Sequence, residues 1–143
     1  MAIEEILAGK GRHVVTIAPE QSLADAAEML HRHRIGAVVV TDDGGQVAGI
    51  LSERDVVRAV AEAGAGALGE PVSRRMTAEV VTCRPSCGLD ELMDLMTRGK
   101  FRHVPVVESG RLQGIVSIGD IVKHRLAQIA AEHEAMRDYI ATA

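Results

Sequence analysis

Aromatic side chains are almost missing from this chain: Phe101 and Tyr139 are the only two among 143 residues, and there is no tryptophan. That argues against a surface that stacks nucleic-acid bases on rings. A surplus of positive charge is missing too. The 16 Lys and Arg are outnumbered by 20 Asp and Glu, for a net charge of −4. Sequence-independent nucleic-acid affinity needs clustered cations that neutralise phosphates, so nucleic acid is not the expected partner. No apolar run approaches the ~20 residues that cross a bilayer. Segment 1–12 (MAIEEILAGKGR) has no basic stretch leading into an apolar one. Neither a membrane span nor a signal peptide is therefore expected, and the cytoplasm is the default location. Cysteine is scarce. Cys83 and Cys87 stand at a C-x3-C spacing without a second pair or a histidine cluster. That leaves a zinc site short of its usual ligands, so both read as ordinary reduced thiols and no metal is expected.

What the chain has in quantity is aliphatic material. At 47% hydrophobic it can fill the core of one compact domain, or of two half-domains that share a core. It also repeats itself. Residues 14–57 (VVTIAPEQSLADAAEMLHRHRIGAVVVTDDGGQVAGILSERDVV) return as residues 80–122 (VVTCRPSCGLDELMDLMTRGKFRHVPVVESGRLQGIVSIGDIV). The offset is 66 through Val40/Val106 and 65 from Gly45/Gly110 onward. Thr16/Thr82, Pro19/Pro85, Leu23/Leu89, Gly49/Gly114, Ser52/Ser117 and Asp55/Asp120 are identical pairs. Two copies of one unit imply a pseudo-twofold module with a cleft between copies.

Each copy reads as strand, helix, strand, strand, helix. The β-branched run 14–17 closes at Pro19, and Ser22 can cap a helix whose Leu23, Ala26, Ala27 and Leu30 form one stripe. Leu89, Leu92, Met93 and Met96 repeat it. Strands 37–40 and 47–51 flank a turn rich in Asp and Gly, which is a hairpin signal. A second helix follows from about residue 53 to 63. Residues 64–79 carry Gly64, Gly66, Gly69 and Pro71 and read as a linker with one helical turn near 72–76. The last helix runs from 118 to about 140 without Gly or Pro. Its Val122, Leu126, Ile129, His133, Met136 and Ile140 make a heptad-like seam, which either packs along its own module or joins two chains. The expected division is 1–65 for the N-terminal segment with repeat 1, 66–79 for the linker, 80–126 for repeat 2 and 127–143 for the helical extension. The expected class is α/β (α+β).

The chemistry lies in Gly49-Ile50-Leu51-Ser52-Glu53-Arg54-Asp55 and its copy Gly114-Ile115-Val116-Ser117-Ile118-Gly119-Asp120. Ser ends a strand and Asp stands three residues on, in the first helical turn. One reading is a capping box, with Ser holding the N3 amide and Asp reaching back. The other uses the same geometry for a ligand. A helix N-terminus suits phosphate, and an ionised Asp, which only accepts, suits the two donors of a ribose diol.

The tandem unit with its Gly-h-h-Ser-x-x-Asp ending resembles a pair of CBS domains, the Bateman module. The resemblance covers residues 14–126 and is to the stand-alone bacterial type. It implies that each cleft is shared between copies. Site A would use Ile50, Ser52, Arg54 and Asp55 with Val80, Val81, Thr82, Arg102, His103 and Pro105. Site B would use Ile115, Ser117 and Asp120 with Val14, Val15, Thr16, Gly36, Ala37 and Val38. Segment 100–106 (KFRHVPV) is similar to the basic stretch that grips phosphates in the kinase-regulating gamma subunits of the family. Arg102 and His103 face Gly36 and Ala37 in the alignment, so site A should be the stronger, with His103 lending pH sensitivity near neutrality.

The resemblance implies a non-catalytic sensor of adenosyl ligands: AMP, ADP or ATP first, NAD(H) or S-adenosylmethionine behind. It also implies a homodimer of modules and a target protein that no motif names. Two other classes stay open. An enzyme, by analogy with the CBS pairs inside inosine-monophosphate dehydrogenases, is opposed by length, because a catalytic barrel needs about 250 residues. No nucleophile–base pair is visible either. A dimerisation scaffold without a ligand would need only the capping reading.

Overall fold

Ser22 begins the first repeat's helix as its position predicts. Its hydroxyl accepts from Asp25 N–H at 3.1 Å, and the Asp25 carboxylate accepts from Ser22 N–H at 3.3 Å. That reciprocal cap fixes the start of α2 (Leu23–His33), which buries Leu23, Ala26 and Leu30. The computed structural model describes residues 2–142. Around α2 the order is α1 (Ala2–Lys10), β1 (Thr16–Ile17), then β2 (Ala37–Thr41), β3 (Val47–Ser52) and α3 (Glu53–Ala63). Two 3-10 turns, Gly64–Gly69 and Val72–Arg74, lead to α4 (Leu89–Gly99), β4 (His103–Glu108), β5 (Arg111–Ser117) and α5 (Ile118–Thr142). This is the mixed α/β class expected.

In the first sheet β1 pairs parallel with β2, and β2 pairs antiparallel with β3. The second sheet is the antiparallel pair β4–β5. The expected first strand of repeat 2 is reduced to one parallel bridge, Cys83 to Val106. It is held by Cys83 N–H to Pro105 O at 3.1 Å and Val107 N–H to Cys83 O at 2.8 Å. The bridge keeps the repeat's register, since Ile17 faces Val40 in the first copy. Burial at that bridge pushes the Cys83 thiol up to about 12, so it stays protonated.

The buried side chains form two clusters rather than one shared core. The first gathers Ile17, Leu23, Leu30, Val38, Val40 and Leu51 with Ala67 and Val72 from segment 64–79. The second gathers Leu89, Leu92, Met96, Val104, Val106 and Val116 with Ile3, Ile6 and Leu7 from α1. Met93, expected in that stripe, is exposed. Segment 64–79 packs too: Leu23 N–H donates to Glu70 O and Val72 N–H to Gln21 O.

The seam of α5 does not pack along its own chain. Val122, Leu126, Ile129, Met136 and Ile140 are between 50% and 67% exposed. Among the described residues no helix is long and apolar enough to cross a membrane.

Candidate functional site

Both Ser-x-x-Asp motifs form the cap that the bland reading demands. In α3 the Asp55 Oδ2 accepts from Ser52 N–H at 2.8 Å and from the Ser52 hydroxyl at 3.1 Å. In α5 the Asp120 Oδ2 accepts from Ser117 N–H at 2.9 Å, and Asp120 N–H donates to Ser117 Oγ at 3.1 Å. Capping engages only one oxygen of Asp55. The other, Oδ1, has Arg58 at 3.8 Å, beyond hydrogen-bond range. It remains an acceptor on the wall of a cleft.

That cleft has a volume of ≈ 470 Å³ and is built from both repeats and the segment between them, within the range of small-ligand pockets. Ile50, Ser52, Arg54 and Asp55 come from the end of β3 and the start of α3. Val80 and Val81 come from the segment before Cys83, His103 from the start of β4 and Arg102 from the residue before it. These eight are residues that sequence reasoning assigned to site A. The chain 77–81 reaches them because Thr77 pairs with Ile50 in both directions, at 3.0 and 2.9 Å.

Thr82 and Pro105 do not join them. Thr82 lines a separate pocket with Cys87 and Glu91. Pro105 is buried in β4, opposite Ile115.

Gly36 and Ala37, assigned to site B, line the site A cleft instead. The strand register accounts for that placement. Ala37 lies opposite Ser52 and His103 opposite Ser117, so each segment sits beside its own repeat's motif. The His103 ring packs against Gly36, so the two segments converge instead of dividing between clefts. Val38 points into the first core and Val15 packs on it. Val14 is half-buried and Thr16 exposed in β1.

Sequence reasoning missed Arg58, Thr77 and Glu79, which also line the cleft, as do Lys100 and Phe101 of the basic segment 100–106. Lys100 ends α4 in the left-handed conformation at φ 56, as Arg34 ends α2 at φ 54. The cations Arg54, Arg58, Lys100 and Arg102 share the wall with the acids Glu53, Asp55 and Glu79. Burial holds His103 below its ordinary 6.5, with Asp120 and Glu53 opposing and Lys10 and Arg102 adding to the shift. Burial therefore favours its neutral form.

Around Asp120 the surroundings differ. Lys10, from the last turn of α1, donates to Asp120 Oδ2 at 2.7 Å and to Ile115 O at 2.9 Å. Burial raises the Asp120 carboxyl, but Lys10 and the Ser117 N–H outweigh it and hold the group below its ordinary 3.8. Ile3, Ile6 and Leu7 at i, i+3 and i+4 were the available signal for this helix.

Two copies of one unit, each ending in the capped Asp motif, define a tandem-repeat module. The chain belongs to the CBS domain family, whose model matches residues 4–62 and 72–127. A CBS-domain containing protein from Agrobacterium tumefaciens is 55% identical, with a TM-score of 0.84 over 86% of this chain and 92% of that one. A CBS domain protein from Pyrobaculum aerophilum, solved complexed with AMP, is 28% identical, with a TM-score of 0.75 over 84% and 89%. The CBS domain pair of protein MJ0100, solved with 5'-methylthioadenosine and S-adenosyl-L-methionine, is 25% identical, with a TM-score of 0.79 over 88% and 96%. Among curated relatives, a protein of Acidianus ambivalens is 34% identical over 77% of this chain, which spans 66% of that relative's length. An inosine-5'-monophosphate dehydrogenase of Aquifex aeolicus, 30% identical, is matched over only 25% of its length.

Proposed function

We propose that this chain is a non-catalytic regulatory module that binds an adenosyl ligand, with AMP, ADP or ATP foremost, in the cleft beside Asp55. The observation that carries the reading is that one cleft brings an under-used carboxylate oxygen, a helix N-terminus and four Lys or Arg side chains together with an apolar wall. Asp55 Oδ1 would take the ribose hydroxyls. The start of α3 and Arg54, Arg58, Lys100 and Arg102 would take phosphate. Ile50, Val80, Val81 and Phe101 would pack against the base. The AMP complex of the Pyrobaculum relative supports the ligand class. S-adenosylmethionine is the second reading. It is favoured by Glu53 and Glu79, which suit a cationic ligand, and by the ligands of the MJ0100 pair.

Binding between the repeats would bias how the halves pack, and a partner protein would read that bias. The exposed seam of α5 supports a homodimer of modules, with the cytoplasm as the compartment. Residues 1–65 and 80–126 act as the two halves in this reading, joined by 66–79 and extended by 127–143.

Calorimetric titration with AMP is expected to show binding that falls at least about tenfold in Asp55→Ala, the loss of about 1.4 kcal/mol. A melting shift should accompany binding, because the ligand stabilises only the folded state. Undiminished affinity in Asp55→Ala overturns the site. No shift with any adenine nucleotide favours the scaffold.

A further inference from the structure

The repeat extends further toward the N-terminus than the Ser-x-x-Asp motifs suggest. At the same offset of 66, Lys10 is the counterpart of Met76. Each ends a segment that covers the last strand of a repeat. In repeat 1 the Met76 side chain packs over Gly49, and Thr77 N–H donates to Ile50 O at 2.9 Å. In repeat 2 the Leu7 side chain packs over Gly114, and Ile115 O, the counterpart of Ile50 O, receives the Lys10 ammonium at 2.9 Å. A carbonyl satisfied by the backbone in one copy is thus satisfied by a charge in the other. That charge does not stop at the carbonyl; it continues to Asp120 at 2.7 Å. Both partners are partly sheltered, with side chains 33% and 22% exposed. The contact is therefore a charge-assisted hydrogen bond held at two points rather than a loose surface pair.

We propose that Lys10 decides which cleft takes a ligand: by holding the Asp120 carboxylate it closes site B to adenosyl ligands and leaves the cleft beside Asp55 as the single site of each chain. The proposal rests on the adenosyl reading of that cleft. Asp120 Oδ2 already accepts from Ser117 N–H and from an ammonium. Because both contacts fall on Oδ2, a ribose diol that spans the two carboxylate oxygens must exchange that charge-assisted bond for a neutral one, which is about half as strong. It must also leave the Lys10 ammonium without its carboxylate partner. A diol that takes Oδ1 alone meets a carboxylate whose charge the ammonium already offsets. Met76 imposes no such cost on Asp55. Selectivity between the clefts then comes from a residue outside both Ser-x-x-Asp motifs, one that contacts no ligand itself.

Calorimetric titration of the full chain with AMP, read as stoichiometry, tests this against Lys10→Met, which installs the residue of the matching position. The parent is expected to bind one AMP per chain and Lys10→Met two, with the second lost again in Lys10→Met/Asp120→Ala. Two AMP per chain in the parent, or one in a folded Lys10→Met, overturns the proposal. No AMP in the parent with one in Lys10→Met upholds it while refuting the adenosyl reading of the cleft beside Asp55. No binding in either overturns both. Should Lys10→Met fail to fold, Lys10→Gln keeps a donor for Ile115 O without the charge. The same two sites are expected of it, and one site is the overturning result.

Discussion

In repeat 1 the edge of β3 is closed by extended backbone, with Thr77 and Ile50 exchanging both hydrogen bonds. In repeat 2 the matching edge of β5 is closed by a helix, with Leu7 over Gly114 and Lys10 on Ile115 and Asp120. The strand pairs beneath are alike, down to the register break in each hairpin, between Val40 and Thr41 and between Val106 and Val107. Extended backbone lets the following chain run along the cleft, so Val80 and Val81 line it. A helix ends in a side chain long enough to reach the carboxylate. The two motifs are the same; their coverings differ.

The comparison breaks most sharply if α1 is an appendage rather than part of the second core. Leu7 is fully buried, and α1 supplies three of that cluster's aliphatic side chains. Leu7→Ala is expected to cost about 2–5 kcal/mol, as buried leucine truncations do. Chemical denaturation reads it directly. A loss within about 0.5 kcal/mol, the range of surface substitutions, would show that the helix is not structural.

The two covering modes should also differ in tolerance. A Cβ on Gly114 would lie 2.5 Å from the Leu7 Cδ2, the end of a side chain that can turn. A Cβ on Gly49 would lie 2.5 Å from the Met76 Sδ and 2.9 Å from the Thr77 backbone oxygen. The sulfur can move aside, but the backbone oxygen is tied to Ile50. Overpacking costs about 1–3 kcal/mol, and Gly49→Ala is expected near the top of that range with Gly114→Ala near the bottom. The reverse order of melting temperatures would mean that the helix, not the backbone, is the rigid cover.

What could be read from the sequence was local. The α2 stripe, the Glu53–Ala63 helix and both Ser-x-x-Asp caps depend on residues within a few positions of one another. What could not be read depended on partners distant in the chain. The repeat-2 strand shrinks to the Cys83 bridge because only that residue meets β4. The roles of Gly36-Ala37 and Arg102-His103 required the register that opposes Ala37 to Ser52 and His103 to Ser117. Lys10 carries no motif at all. It matters because three apolar residues of its helix find a core that lies more than 70 positions away in the chain.

The smallest effect expected is one of protons, and it sharpens the contrast between His103 and its counterpart Ala37. Burial holds His103 below its ordinary 6.5, with Asp120 and Glu53 opposing and the Lys10 ammonium contributing to the depression. As pH falls below 6.5 the unfolded chain therefore takes up a proton that the folded chain refuses. Stability drops through that window until the folded imidazole also protonates. The Asp120 contribution is lost lower, as pH falls from its ordinary 3.8 through its depressed folded value. Denaturation midpoints at about pH 7 and about pH 5 should converge in His103→Ala. In Lys10→Met the His103 resonance should titrate at higher pH than in the parent, because a nearby cation is gone while Asp120 stays. A His103 pKa unmoved by Lys10→Met would separate the ammonium from the junction between repeats, and the inequality of the clefts would then have to lie in their walls.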